Sequence, residues 1–397
     1  MWETVKLDEI VNLSMGKTPS RGNAKFWDKE KISKNIWLSI ADLSALGGLY
    51  IEDSKEYVSD EGAKLFKAVP SETLVMSFKL SIGKLAITKC ELRTNEAIAA
   101  LPIKDEKLIT KEYLYYFLSS IDWDALAGND VKVKGKTLNK AKLKEIPISY
   151  PPLAEQQRIV AKLDAAFAEI DGAIEAVEKK SEDAKAIINS GLAEIFQNEA
   201  DNWEVKKLSE VCMVERGSSP RPIKQYFTND DGVNWIKIGD TEQDGKYVTS
   251  TKQKITAIGA KKSRHVKVGD FILTNSMSYG RPYIMGIEGY IHDGWFVLRL
   301  NKDIDTEYFY YLLISPYVQH QFHKLAAGAV VKNISGDLVK KTILPIPPLE
   351  RQKEIREKIV KIEAQTQQLK ETYKLKLENL IALKSAILAQ ELQSEAA

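Results

Sequence analysis

The chain contains the same ordered series of short motifs twice. Trp2-Glu3 followed by Leu7 returns as Trp203-Glu204 followed by Leu208. Gly16-Lys17-Thr18-Pro19 answers to Gly217-Ser218-Ser219-Pro220, and Trp37 to Asp42 answers to Trp235 to Asp240. Ser81-Ile82-Gly83-Lys84 answers to Ser278-Tyr279-Gly280-Arg281. Pro151-Pro152-Leu153-Ala154-Glu155-Gln156 answers to Pro347-Pro348-Leu349-Glu350-Arg351-Gln352. The order never breaks over 397 residues. Repeat architectures with 20–50-residue periods stack into solenoids. A period close to half of this chain means two copies of one whole domain plus a connector, and two sites of one kind.

Each copy is long enough to bury its own core. Short apolar runs bounded by turn residues predict strands at Trp37–Ile40, Leu74–Ser77 and Leu85–Thr88. The second copy repeats them at Trp235–Ile238, Phe271–Thr274 and Phe296–Leu300. Helices are predicted at Thr110–Leu118 and Thr306–Leu313. The connectors differ in kind. Apolar or small residues recur in steps of three and four at Val160, Leu163, Phe167, Ile170, Ile174, Val177, Ser181, Ala184 and Ile188. They recur again at Ile355, Ile359, Ile362, Thr366, Leu369, Tyr373, Leu380, Leu383 and Ile387. That is the seam of a coiled coil, and Pro at each start is tolerated because its missing N–H has no helical partner. Each connector reads as a helix of about 60–70 Å at 1.5 Å per residue. The expected fold is α+β, with a pseudo-two-fold internal repeat: two mixed, β-rich domains at 1–150 and 201–346, and two long antiparallel helices at 151–200 and 347–397. Pairing of these helices with another chain is the alternative.

Catalytic signatures are missing. The Gly-Lys-Thr triplets at 16–18 and 135–137 lack the Gly five positions earlier that a phosphate loop needs; Val11 and Asp130 stand there. All four histidines lie in the second copy, so a job done by both copies does not use histidine. His320 and His323 are spaced for one helix face, without a matched Cys or acid. No metal site is expected.

What remains is binding. Residues 1–150 carry 23 basic and 21 acidic side chains, residues 201–346 carry 20 and 16, and residues 151–200 carry 5 and 10. The globular parts are mildly basic and the first connector is acidic. Basic and polar residues cluster in predicted loops at matched places. The first copy offers Lys17, Ser20, Arg21, Lys79, Ser81, Lys84, Lys134, Lys136 and Asn139. The second offers Arg216, Ser218, Arg221, Arg264, Asn275, Ser278, Tyr279, Arg281, Lys332 and Asn333. Cations and hydroxyls suit phosphates, while Arg, Asn and Ser also suit base edges. The framework repeats while the loop side chains differ, as two readers of two sequences would.

On these residues the chain resembles the specificity subunit of type I DNA restriction–modification systems. The resemblance spans the chain: two variable domains opening at Trp2-Glu3 and Trp203-Glu204, and two Pro-Pro-Leu-x-x-Gln-x-x-Ile helix starts, at Pro151 and Pro347. It implies two target-recognition domains, each reading half of a bipartite asymmetric site in double-stranded DNA. It implies helices that act as spacer and dock two methyltransferase subunits, with Gln156, Ile159, Leu163, Gln352, Ile355 and Ile359 at the docking surface. It implies no catalytic residue and no cofactor on this chain. S-adenosylmethionine, ATP and Mg would sit on the partner modification and restriction/translocase subunits. The rival is a coiled-coil scaffold with two ligand-binding modules and no DNA role. With single cysteines at Cys90 and Cys212, no leader-like start and no apolar run of about 18 residues, a cytoplasmic protein without a membrane span is expected.

Overall fold

The structure is a computed structural model. It describes the chain except residues 1, 128–130, 133, 134, 137, 199–202, 230, 243, 244, 276–279, 327–333 and 394–397. For residues 127, 131, 132, 135, 136, 185, 198, 325, 326 and 393 it describes the backbone only. The chain divides into two compact units: residues 1–176 with 376–397, and residues 177–375.

In the first unit, five strands form one sheet in the order Ser14–Met15, Ile98–Leu101, Leu74–Ser77, Leu85–Thr88, Tyr50–Ile51. Neighbours are antiparallel except the last pair, which is parallel. A second sheet holds Glu56–Tyr57, Ile36–Leu38 and Arg93–Thr94. Strand Glu3–Lys6 pairs with Pro147–Tyr150, which leads the chain into its first long helix, Leu153–Ala193. Leu74, Val75, Met76, Ala86 and Ile87 are buried without alternation, because both faces of this sheet are covered. One face packs on the helix Lys111–Ser119 and on Ile159 and Leu163; the other packs on Leu38, Leu43 and Leu92.

The second unit repeats this plan. Its sheet order is Cys212–Arg216, Trp295–Leu300, Phe271–Thr274, Pro282–Met285, Tyr247–Val248, again with a parallel last pair. Val205–Lys207 pairs with Ile343–Pro345, which precedes the second long helix, Leu349–Gln393. The helix Thr306–Ile314 takes the place of Lys111–Ser119.

Two predicted strands stop early. Ser39 ends Ile36–Leu38 and opens the helix Ile40–Ala45, with the Asp42 carboxylate accepting the Ser39 N–H at 2.9 Å and the Ser39 hydroxyl at 2.6 Å. In the second copy, Asp240 accepts the Lys237 N–H at 2.9 Å, and Val233–Ile236 gives way to a 3-10 turn at Ile238–Asp240. Asp42 also takes the Lys55 N–H, and Asp240 the Lys252 N–H and the Thr251 hydroxyl. The repeated Trp-to-Asp segment is therefore a structural clasp.

The long helices run antiparallel within each unit. In the first, Lys162 meets Glu391 at 2.6 Å and Asp171 meets Lys384 at 2.5 Å, so ascending residues of one helix face descending residues of the other. In the second, Leu192, Ile195 and Phe196 share a core with Ile355 and Ile359, while Ile187 and Gly191 border a groove with Ile362 and Leu369. The seam of the first helix holds as predicted, with Leu163, Ile170, Val177 and Ala184 buried at seven-residue steps. On the second helix, Leu369 (37% exposed) and Leu383 (46%) fall off the seam. Half-buried Lys370, Leu377 and Lys384 take that side, still at seven-residue steps but one residue further along the helix than Leu369 and Leu383.

Candidate nucleic-acid interface

The predicted basic loops of the first copy come together by backbone hydrogen bonding. Gly16 donates to the Ile98 carbonyl at 3.2 Å and Lys17 to Thr94 at 2.9 Å. From the adjoining turn, Ala97 accepts the Phe78 N–H at 2.9 Å, and the Phe78 carbonyl accepts the Leu138 N–H at 3.0 Å. Three segments are thus laced side by side: Gly16 to Arg21, Phe78 to Lys84, and Leu138-Asn139, which follow in sequence the paired strands Val131–Lys132 and Gly135–Lys136. Lys17, Ser20, Arg21, Ser81, Lys84 and Asn139 are exposed and Lys79 is half-buried. Lys134, and the side chain of Lys136, lie outside the described residues.

The second copy is laced in the same way. Gly217 donates to Trp295 at 2.8 Å, Asn275 to the Gly294 carbonyl at 3.0 Å, and Ile334 to the Asn275 carbonyl at 3.0 Å. A fourth segment joins here, because the Ser263 hydroxyl donates to the Ser218 carbonyl at 2.7 Å and the Ser218 hydroxyl to the Lys262 carbonyl at 3.1 Å. That places Arg264 beside Arg216. Ser278, Tyr279, Lys332 and Asn333 lie outside the described residues; Arg281 is half-buried.

The two hairpins carrying these loops share one clasp. Gly83 and Gly280 both have φ of 79°, the left-handed region that glycine takes without steric penalty. Gly83 donates to the Ser77 carbonyl at 2.9 Å, and Gly280 to the Thr274 carbonyl at 2.8 Å. The Ser77 hydroxyl accepts the Lys84 N–H at 2.9 Å, and the Thr274 hydroxyl accepts the Arg281 N–H at 3.0 Å. A Cβ on Gly83 would strike Trp123, and one on Gly280 would strike Phe322.

Several predicted residues are already engaged. Arg21 forms a fork with Glu56 and lies over Trp27 and Trp37, at 4.2 and 4.8 Å from the ring centres. Burial lowers the guanidinium pKa less than the Glu56 bond raises it, so Arg21 stays charged. Arg216 and Arg221 both reach Asp293, through its carbonyl and its carboxylate, at 3.2 Å each. Arg264 pairs with Glu215 at 2.8 Å. The sequence reading missed the acids. Glu96 accepts the Thr18 hydroxyl, and Asp293 accepts the Ser219 hydroxyl at 2.6 Å. Both acids stand one residue after the matched pair Asn95 and His292, and that alignment was the available signal. The Ser219 hydroxyl, together with His292 and Arg221, holds the Asp293 carboxyl below the usual carboxylate range.

Seven assignments need correction. Asn275 is 3% exposed, and its amide donates to the Asp293 carbonyl at 2.7 Å, so it braces the loop from inside. Gln156, Ile159, Leu163, Gln352, Ile355 and Ile359 are each at most 2% exposed. They are spent within this chain and present no docking surface. The Gln156 amide spans the Thr110 N–H and the carbonyls of Leu108 and Pro151, and Gln352 spans Asp305, Asp303 and Pro347 in the same way. The Pro-Pro-Leu-x-x-Gln motif is therefore a buried joint between each long helix and its domain. Tyr116 bonds Asp164 beside the first joint, and Tyr311 bonds Glu363 at 2.6 Å beside the second.

Comparison with known proteins agrees with this duplicated architecture. The family described as "Type I restriction modification DNA specificity domain" matches residues 1–179 and again 200–379. The chain is 28% identical over 258 residues to the type I restriction enzyme MjaIX specificity subunit of Methanocaldococcus jannaschii, a match covering 57% of this chain and 55% of that protein. It is 24% identical to the MjaVIII specificity subunit of the same organism, covering 91% of this chain and 86% of that one. Among solved structures, a chain from work on assembly and conformational transition of the type I R-M system shares the fold, with a TM-score of 0.72 at 18% identity over 98% of this chain and 97% of that one. The HsdS subunit from Thermoanaerobacter tengcongensis gives 0.55 at 18% identity, over 98% and 96%. With the domain matched twice and its two copies built on one plan, this chain belongs to the type I restriction–modification DNA specificity family.

Proposed function

We propose that the chain reads a bipartite, asymmetric site in double-stranded DNA, with residues 1–150 reading one half and residues 201–346 the other. The observation that carries this is the pair of clasped hairpins. One scaffold is closed by Ser77 with Gly83 and by Thr274 with Gly280; the sequence it encloses includes Lys79-Leu80-Ser81-Ile82 in one copy and Ser276-Met277-Ser278-Tyr279 in the other. A scaffold shared by the two copies, with tips of different sequence, suits two different half-sites. Lysines track phosphates, and the hydroxyl and planar side chains read base edges.

The chain supplies recognition and no chemistry of its own. Among the described residues no cluster of His, Cys, Asp or Glu is arranged for a metal. In this reading two modification subunits bring S-adenosylmethionine and methylate the site, restriction/translocase subunits bring ATP and Mg, and the assembly works in the cytoplasm. No described helix is long and apolar enough to cross a membrane. With the six buried residues removed from the docking surface, the exposed apolar side chains of the long helices take their place. Ile187 (42% exposed) and Leu383 (46%) stand at the same step from Pro151 and Pro347, which fits one docking contact made twice.

The test is to purify the chain with modification subunits and map the methylated site in DNA. A two-part site with unlike halves supports the reading. A complex that neither retains nor modifies specific DNA would favour a scaffold without a DNA role.

A further inference from the structure

The hairpin bearing Lys79, Ser81 and Lys84 carries an apolar residue at its tip that phosphate contacts do not explain. Leu80 is 50% exposed. Its φ is 67°, in the left-handed region that side chains larger than Asn seldom adopt. The turn cannot relax around it. Ser77 donates to the Lys84 carbonyl at 2.8 Å and accepts Gly83 at 2.9 Å, while Phe78 is tied on one side to Ala97 and on the other to Leu138. The Ser77 hydroxyl donates to the Ser81 carbonyl across the turn. Strain of this kind persists where neighbours over-determine the backbone, and it concentrates at functional sites. The cost here keeps a leucine pointed at solvent in the middle of a basic loop. In the second copy the sequence puts Met277 at the same step, three residues before Gly280.

We propose that Leu80 is a specificity-determining residue: the turn Lys79–Lys84, which projects from two central strands of the sheet, enters the major groove, and Leu80 packs on the 5-methyl group of a thymine. The thymine methyl is the apolar feature displayed in that groove, and Leu80 is the exposed apolar side chain of the turn. Lys79 and Lys84, flanking the tip, take phosphates. The inference rests on the DNA-facing reading of these loops and adds to it which base one half-site contains and which side chain recognises it.

The experiment uses the full chain assembled with modification subunits and a duplex bearing its mapped site. Deoxyuracil replaces each thymine of the first half-site in turn, which removes only the methyl group. One replacement is expected to weaken binding about three- to tenfold, the scale of one or two buried methyl groups. Leu80→Ala should weaken binding to the natural site by a similar factor and show no further loss on that one deoxyuracil duplex. Leu80→Asn, better suited to a left-handed φ, should leave thermal stability unchanged or raised while DNA binding falls. Losses from Leu80→Ala that are the same on every deoxyuracil duplex, unchanged DNA binding by Leu80→Ala, or a half-site without thymine would each overturn the inference. A complex that binds no DNA at all would sink the DNA-facing reading and this inference together.

Discussion

The side-chain carbonyl of Gln156 accepts the backbone N–H of Thr110 at 3.0 Å, across 46 residues of sequence. Thr110 is the N-cap of Lys111–Ser119, and its own hydroxyl accepts the Tyr113 N–H at 3.2 Å. Gln352 repeats the bond on Asp305, the N-cap of Thr306–Ile314, at 2.9 Å. Each long helix is thus fastened to the start of a domain helix by one buried amide. Replacing Gln156 by Leu fills the volume but strands the Thr110 N–H and two carbonyls. The expected loss is about 1–3 kcal/mol, the cost of unsatisfied buried groups. Chemical denaturation followed by circular dichroism measures it, and Gln352→Leu should lose a similar amount. A neutral substitution at both places would show that water replaces the joint.

The basic hairpins predict an asymmetric DNA phenotype. Replacing Lys79, Ser81 and Lys84 together by Ala should relax recognition of one half-site and leave the other intact, while Arg281→Ala acts on the other half alone. The expected scale is about 1–3 kcal/mol of discrimination per bidentate base contact. Competition binding against duplexes mutated in one half at a time reads this directly. Equal loss at both halves from either set of changes would refute separate readers.

His292 predicts a pH dependence confined to the second copy. Its Nδ1 accepts the Gly294 N–H at 2.8 Å, and Asn95 does the same job for Ala97 through its side-chain carbonyl at 3.0 Å. Burial against Trp235 and Trp295 lowers the imidazole pKa below its ordinary 6.5, and Lys237 adds to the fall, against the opposing pull of Asp293 and Asp240. The folded chain therefore resists a proton that the unfolded chain accepts. The stability this histidine contributes is present above pH about 6.5 and is lost as pH falls through the folded value. His292→Asn, which copies the first domain, should keep the turn and flatten the profile as pH falls below about 6.5. Melting temperature against pH for both proteins is the measurement, and parallel profiles would exclude His292 as the source.

Cys212 and Cys90 should differ in reactivity. Cys212 is 3% exposed, and burial pushes its thiol up to about 12. Cys90 is half-buried, and its thiol is also raised by burial. Alkylation at pH 8 should label Cys90 first and reach Cys212 only on unfolding, as peptide mass mapping would show. Fast labelling of Cys212 in the native protein would contradict the core built around Leu208 and Val211.

A longer helix pair should change the spacer between half-sites and not the half-sites themselves. Four residues added at matched points of both long helices lengthen each by about 6 Å. A base pair occupies about 3.4 Å of duplex. The preferred spacer should grow by about one or two base pairs, which methylation mapping would reveal. A new half-site with the old spacer would count against the helices as the ruler.

The sequence alone determined the duplication, the two long helices and the hairpin strands. Each of these is written in local terms: motif order, a three-and-four apolar step, and short apolar runs between turn residues. Leu163, Ile170, Val177 and Ala184 needed no structure to be placed on one stripe. What a polar side chain faces is not local. Gln156 and Asn275 read as surface residues because their types usually are, and only the folded chain brings the Thr110 N–H to one and the Asp293 carbonyl to the other. Leu369 and Leu383 left the seam because the folded helix turns the positions one residue further on, Lys370 and Lys384, inward, and Lys384 there finds Asp171. The lacing of 16–21, 78–84 and 138–139 joins segments dozens of residues apart through backbone N–H and C=O groups. Every residue except proline carries both of those groups, so no pattern of side chains announces which will pair.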